Sequence, residues 1–500
     1  MRIFNYFPKN KSKWLSYSIV AIPIIFSGFL ITLNSFIDNF MVSTIKNGLN
    51  SLNFANIFTS FIVGIFVSLN IIITPLLGKY LGTNQKENIK SIVRARYILS
   101  FGFAILFSII IIPFSRFFIL LVAKKEDNFS DKEFEQIINQ SVEYLEIIFL
   151  QWILNSILFS AIEFVRQSKK SWISLLVSCV ILTINIIGNL ILINFLGVKG
   201  LAISSVISSL IGLIVIFLII AKTNKIFLIN FANIFRINKK IWKEILNKTP
   251  GFILNSLTFI FVFSRNILWV QGFKIGSLGY GEYSQYWSIG AATILGLISS
   301  ISGVLFAGIT SIAPNIAVFV SQNLGKKDYK LAQQNSKELK GFHLTIGFIL
   351  FIIMLVVAFL IPNFSFLTNG ISKSIKIQLE KLKLAPDMIQ NEINKASTYF
   401  LTELKFCIIV SSFFSLVWII FITDIQILNA KGKNNFTSIF QFILNIIQIL
   451  ILAILVFLII PIFSKSDKVY IFSFYWFILL CFDIVKLFFF EYFYFKEKWS

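Results

Sequence analysis

From end to end the chain alternates long apolar runs with short polar stretches. A helix needs about 20 apolar residues to cross the hydrocarbon core of a bilayer, and twelve runs reach that length. The first six cover 15–42, 54–77, 97–121, 141–165, 172–196 and 200–221. After a basic stretch from Lys222 to Lys248 come 250–272, 286–320, 342–367, 398–428, 436–463 and 469–495. The pattern predicts an all-α membrane protein of twelve transmembrane helices, with an N-terminal six-helix lobe over 1–221, a cytoplasmic linker over 222–249 and a C-terminal six-helix lobe over 250–500. Run 8 contains Gly290, Gly296, Gly303, Gly308 and Pro314, the residues at which a long helix bends or lets a neighbour approach. The connection 372–395 mixes Ile375, Ile377, Leu379, Leu382 and Leu384 with lysines, a pattern that suits either a short amphipathic helix at the interface or a solvated loop.

Composition agrees with this picture, since 57% hydrophobic residues at a mean hydropathy of +0.83 leave too little polar surface for a water-soluble core. The net charge of +22 would suggest nucleic acid in a soluble protein, but the cations sit mainly between apolar runs, as membrane orientation requires. The two tails and the connections on their side hold 28 Lys and Arg, the opposite connections 13. Both termini are therefore expected in the cytoplasm, with the cell membrane as location, the bilayer as partner and no nucleic acid. The lead before run 1 is basic (Arg2, Lys9, Lys11, Lys13), yet the run is too long for a signal peptide and reads as a retained helix. Three dispersed cysteines and the single His343 give neither a disulfide framework nor a zinc site. No nucleotide, redox or catalytic-triad motif is visible, so no enzyme and no cofactor are expected.

The two halves repeat in sequence. Pro23 precedes Asp38-Asn39 by fifteen residues, and Pro250 precedes Arg265-Asn266 by fifteen. Leu81-Gly82 before Asn84-Gln85-Lys86 recurs as Leu324-Gly325 before Lys327-Asp328-Tyr329, and Val165-Arg166 before Lys169-Lys170 as Leu428-Asn429 before Gly432-Lys433. Because six helices intervene, the repeats share one orientation and are related by an axis along the membrane normal.

These motifs, with Val165-Arg166-Gln167 and the helix 5 segment Asn185-Ile186-Ile187-Gly188-Asn189, resemble those of the multidrug and toxic compound extrusion (MATE) family, part of a larger group that includes polysaccharide and lipid flippases. The resemblance spans nearly the whole chain and rests on the order and spacing of the motifs. It implies two lobes around a central cavity that opens alternately to either side, exporting organic cations in exchange for sodium or protons. Pro23 and Asp38 match the family's helix 1 proline and acid. In helix 5 the family's Asn and acid four residues apart stand here as Asn185 and Asn189, so that carboxylate is missing. The acids that one subfamily carries in helices 7 and 10 are also absent, with Asn255, Thr258 and Trp418 near those positions.

Asp38 lies about 22 Å beyond Pro23 at 1.5 Å per residue, in the outer half of the membrane. A carboxylate there costs roughly 2.5–3.5 kcal/mol unless protonated, paired or hydrated, which makes it a candidate ion carrier or else a packing residue in a static pair. Asn34 shares its face, and Asn185 and Asn189 share a face of helix 5. The candidate ion-coupling set is thus Asp38, Asn34, Asn185 and Asn189, with Asp38 and Asn185 as possible sodium ligands. Arg265, opposite Asp38 in the repeat, pairs with it across the lobes, binds an anionic head group, or is satisfied locally. Asn255, Asn266 and Asp424 join it as candidate cavity or gating residues, Asp424 at the second lobe's inner mouth or in packing. Asp483 with Lys486 and Glu163 with Arg166 read as local ion pairs. The expected substrate is a small amphipathic molecule, or in the alternative an anionic lipid-linked one carried by a flippase, and the expected state is a monomer.

The charge count makes a direct prediction. A cysteine placed between Lys222 and Lys248 should react with an impermeant maleimide only from the cytoplasmic side, and labelling in intact cells would reverse the orientation.

Overall fold

The computed structural model describes residues 6–42, 45, 48–123, 131–229, 231–273, 282–287, 289–463 and 471–499, and only helices, turns and bends occur among them. Among the described residues eleven helices are long and apolar enough to cross a membrane, and a pair bent by 47°, Thr293–Gly303 and Phe306–Gly325, brings the number to twelve. Helices 1 to 6 are Lys11–Val42, Gly48–Gly82, Lys86–Ile111, Asp131–Gln167, Trp172–Leu196 and Val198–Thr223. Helix 7 is Thr249–Gly272, and helix 8 runs in segments from Ala291 to Gly325. Helix 9 is Tyr329–Leu360, helix 10 Pro386–Ala430, helix 11 begins as Asn434–Ile454 and continues to Phe463, and helix 12 is Ile471–Lys496.

Helix 5 coincides with its apolar run, but helices 3, 9 and 10 begin eleven to thirteen residues earlier than theirs. Their first turns are polar, so hydropathy does not register them, while backbone hydrogen bonding extends the helix past the bilayer. Helix 3 also stops at Ile111 instead of continuing to 121. Pro113 follows, lacking an N–H and clashing with the preceding turn, and the chain restarts as the short helix Ser115–Val122. The bend in helix 8 falls at Gly303, and a π-helical segment, Ala317–Ser321, follows Pro314. The connection after helix 9 forms a helix, Asn369–Lys381, whose Ile371, Ile375 and Leu379 are buried in the second lobe's core alongside helix 10. That face lies on protein, and Ile377 is left exposed. The linker is likewise docked. Ile241 and Ile245 of its helix Lys239–Leu246 enter the first lobe's core, and Glu244 accepts a hydrogen bond from Tyr80 at 2.8 Å.

The repeat is written into the backbone. Asn84 and Lys327 both have positive φ (53° and 61°), as do Lys169 and Gly432 (62° and 87°), so equivalent loops turn through the same left-handed position. Two glycines then bring the lobes together on the side that bears the termini. A Cβ on Gly82 would strike the backbone of Gln322, and one on Gly325 would strike the backbone of Lys79. Lys79 and Gln322 each stand three residues before the glycine of their own repeat, so the two contacts exchange under a two-fold axis. Gly78 faces its own equivalent, Ser321, where an added Cβ would lie 2.7 Å from the serine Cβ. Hydrogen bonds from Gln322 Nε2 to the Gln167 carbonyl (3.0 Å) and from Asn434 Nδ2 to the Ile71 carbonyl (2.5 Å) complete the closure.

Gly82→Leu or Gly325→Leu should therefore wedge the lobes apart on this side while each lobe stays folded. Ser321→Cys, at a position 1% exposed in the parent, should then become reactive to a water-soluble maleimide. An unreactive cysteine in the Gly82→Leu background would refute this closure.

Candidate functional site

Inside the first lobe, helix 1 presents Asn34 and Asp38 one turn apart, and the Asn34 Nδ2 donates to Asp38 Oδ2 at 3.3 Å. Helix 5 supplies the stronger contact. Asn189 Nδ2 donates to Asp38 Oδ1 at 2.7 Å and to Asn185 Oδ1 at 3.0 Å. Helix 6 holds Asn185 in turn, through its Nδ2 to Ser205 Oγ at 3.2 Å and through Ser204 Oγ, which donates to the Asn185 carbonyl at 2.8 Å. Helices 5 and 6 can approach this closely because Gly188 sits against Ser204, where a Cβ would collide with the hydroxyl. Tyr144 of helix 4 is buried within electrostatic reach of Asp38.

The four residues expected to form the ion-coupling set are therefore brought together. No cationic side chain among the described residues acts on Asp38. The amide oxygens of Asn34 and Asn189 are out of contact with solvent and without a hydrogen-bond partner. One carboxylate flanked by two orphaned amide oxygens is a donor set for a hard cation, and the carboxylate alone can take a proton. Of the two possible sodium ligands, Asn185 has its oxygen engaged by Asn189, so the free amide oxygens are those of Asn34 and Asn189.

The second lobe is built differently. Asp483 of helix 12 accepts from Trp418 Nε1 (2.8 Å) and Gln448 Nε2 (3.2 Å) and pairs with Lys486 (3.0 Å). Lys486 also donates to Gln448 Oε1 (2.5 Å) and Asn445 Oδ1 (3.2 Å). Arg265 of helix 7 belongs to this cluster, with Asp483 as its opposite charge and Lys486 as a like one. The lobe-crossing pair of Arg265 with Asp38 is not formed, because each side chain turns into the interior of its own lobe. Asn255 bridges the lobes, its Nδ2 donating to Ser68 Oγ of helix 2 at 2.9 Å, and Asn266 is exposed. Asp424, considered for the inner mouth, is fully buried and paired with Lys340 at 2.7 Å, a lysine that also pairs with Glu491. Glu163 and Arg166 do pair, at 2.8 Å, and Arg166 reaches on to Ser27 of helix 1.

Sequence reasoning missed Tyr144, Ser204 and Ser205, whose types are common in any helix. It also placed Arg96 and Lys340 in connections, whereas both are buried inside the lobes. Arg96 donates to Asn70 Oδ1 (2.7 Å), Ser160 Oγ (3.2 Å) and the Phe66 carbonyl (3.1 Å).

A family model, MatE, matches residues 23–191. Among solved structures, a mutant of the Vibrio cholerae MATE transporter VcmN shares 14% identity over 97% of each chain, with a TM-score of 0.68. An outward-facing multidrug resistance MATE transporter of the MOP superfamily shares 16% identity over 95% of this chain and 93% of its own, with a TM-score of 0.66. A MOP superfamily transporter from Pyrococcus furiosus, described as having a binding pocket of reverse polarity, shares 15% over 96% and 94%, with a TM-score of 0.68. No match was found among curated proteins.

Because the 2.7 Å contact joins Asp38 directly to Asn189, Asp38→Asn and Asn189→Ala should couple in a double-mutant cycle on thermal stability by about 0.5–3 kcal/mol. Additive effects would mean that the contact carries no energy.

Proposed function

We propose, on the premise that this chain is a transporter of the MATE family by its MatE match over residues 23–191 and by its fold over the full length, that it works as a secondary antiporter of the cell membrane. It exports amphipathic, often cationic, compounds in exchange for sodium or protons. The observation that carries this reading is Asp38, a membrane-embedded carboxylate held by amides and lacking any cationic partner among the described residues. A charge so placed is costly until a cation or proton joins it, so its occupancy follows the ion gradient.

Ion binding at Asp38 has a route to the rest of the molecule. A cation that took the Asp38 oxygens would displace the Asn189 amide hydrogens, changing the contact between helices 1 and 5. Helix 1 also packs on helix 8 of the other lobe, where Gly28 fits against Ala307 and Thr310. It contains Pro23 in its inner half, between these contacts and the attachment of Lys13 and Tyr17 to Glu338 of helix 9, so it can bend between its outer and inner attachments. Differential binding of the ion to the two bends is what links occupancy to the lobe arrangement. With the termini in the cytoplasm, closure at Gly82 and Gly325 corresponds to a state shut toward the inside.

A second reading, a flippase for an anionic lipid-linked substrate, is favoured by the cationic side chain of Arg265 in the second lobe. Drug-accumulation and lipid-translocation assays side by side separate the two.

In liposomes under imposed sodium or pH gradients, Asp38→Asn should abolish gradient-driven efflux while leaving membrane insertion and substrate binding in place. Unchanged gradient-driven transport by this variant would remove Asp38 from the mechanism.

A further inference from the structure

Charge in the second lobe does not balance. Asp483 is one carboxylate with two cations on it, Lys486 at 3.0 Å and Arg265 within electrostatic reach. Lys486 is fully engaged by Asp483, Gln448 and Asn445, and Asp483 already accepts from Trp418 and Gln448 as well. Arg265 makes no hydrogen bond to any described residue, and its Nε is buried without a partner. The residue as a whole is only half-buried. A guanidinium carries five donors and stays charged under any physiological condition, so this cluster holds a surplus charge of about one unit beside donors that no described residue accepts.

The position of the cluster gives that surplus its meaning. Arg265 stands fifteen residues after Pro250 as Asp38 does after Pro23, and Gln448 stands fifteen after Lys433 as Asn185 does after Lys170. The cluster is therefore the repeat equivalent of the Asp38 site. In the first lobe a carboxylate is left without a cation among the described residues. In the second the carboxylate has its own ammonium, and the residue replacing Asp38 is itself a cation. A site of this kind has no use for sodium or a proton, and the ligand that balances it is negative.

We propose that the second lobe contains an anion-binding site in which Arg265, backed by Lys486, receives one monovalent anion, either a halide or the carboxylate of a transported molecule. A single surplus charge suits a monoanion, whereas a phosphate dianion or a pyrophosphate would leave the cluster net negative in a medium where uncompensated charge is costly. The inference does not depend on ion coupling through Asp38. It does narrow the substrate class, since a transported amphiphile that used the site would carry a carboxylate as well as any cationic group.

The test uses the full-length protein in detergent and reads thermal stability as chloride, acetate or inorganic phosphate is titrated at constant ionic strength, with sulfate, a dianion that the site should not take, as the balancing ion. Chloride or acetate should stabilise the parent saturably, as ligand linkage requires. Arg265→Gln should weaken that response by roughly tenfold or more, the loss expected for a hydrogen-bonding group that carries charge, while Arg265→Lys retains part of it. Asp38→Asn should leave it intact, so a failure of the coupling reading and a failure of this one show up in different variants. Saturation by chloride that acetate does not displace would identify a resident halide, and displacement by acetate would identify a carboxylate subsite. Equal responses in the parent and in both Arg265 variants, or a response to phosphate alone, would overturn the proposal.

Discussion

Charge buried between helices has to be compensated, because the bilayer offers no water to do it and the helices use up their own backbone groups. Most of this protein's internal ions obey that constraint within a few ångströms. Arg96 is wrapped by an amide, a hydroxyl and a carbonyl. Asp424 is answered by Lys340, and Glu163 by Arg166. Glu403 accepts the backbone N–H of Ser473 in the first turn of helix 12, where the helix dipole favours a negative charge. Against that background Asp38 and Arg265 stand out. One is a carboxylate among amides, the other a guanidinium beside a carboxylate already served, and they occupy equivalent places in the two repeats.

The repeat architecture explains why such a pair arises together. Two lobes derived from one pattern place equivalent residues on equivalent helices, and helices 1 and 7 carry the charges, Asp38 and Arg265, that differ in sign between them. Equivalent loops keep the same left-handed turn at Asn84 and Lys327, and the glycines beside them interlock. The termini-side closure thus depends on backbone shape, which both halves share, while the sites depend on side chains, in which they differ. Divergence of the sites costs the scaffold little.

This division also sets what could be read in the sequence. Most of the spans follow their apolar runs apart from polar first turns, since hydrophobic burial is a property of composition. The paired motifs and the Asp38 cluster were legible because they combine rare residue types at membrane depth with helical spacing. Arg96, Lys340 and the helix 3 stop at Ile111 were less so. A charged residue near the end of an apolar run looks the same whether it snorkels to the interface or turns into the bundle, and only packing decides. The direction in which Arg265 points was undetermined for the same reason.

Helix 1 is where the two kinds of information meet. Its lower half belongs as much to the second lobe as to the first, with Lys13 paired to Glu338 at 2.7 Å and Tyr17 hydrogen-bonded to the same carboxylate at 3.0 Å. Its upper half carries Asn34 and Asp38 into the first lobe, bound to helix 5. Pro23 lies between them. On the coupling proposed above, an ion that altered the upper contact would act on an element whose lower end is fixed to the opposite lobe. Bending at the proline is the least costly way to accommodate both attachments, since the proline removes a helix hydrogen bond that any other kink would first have to break.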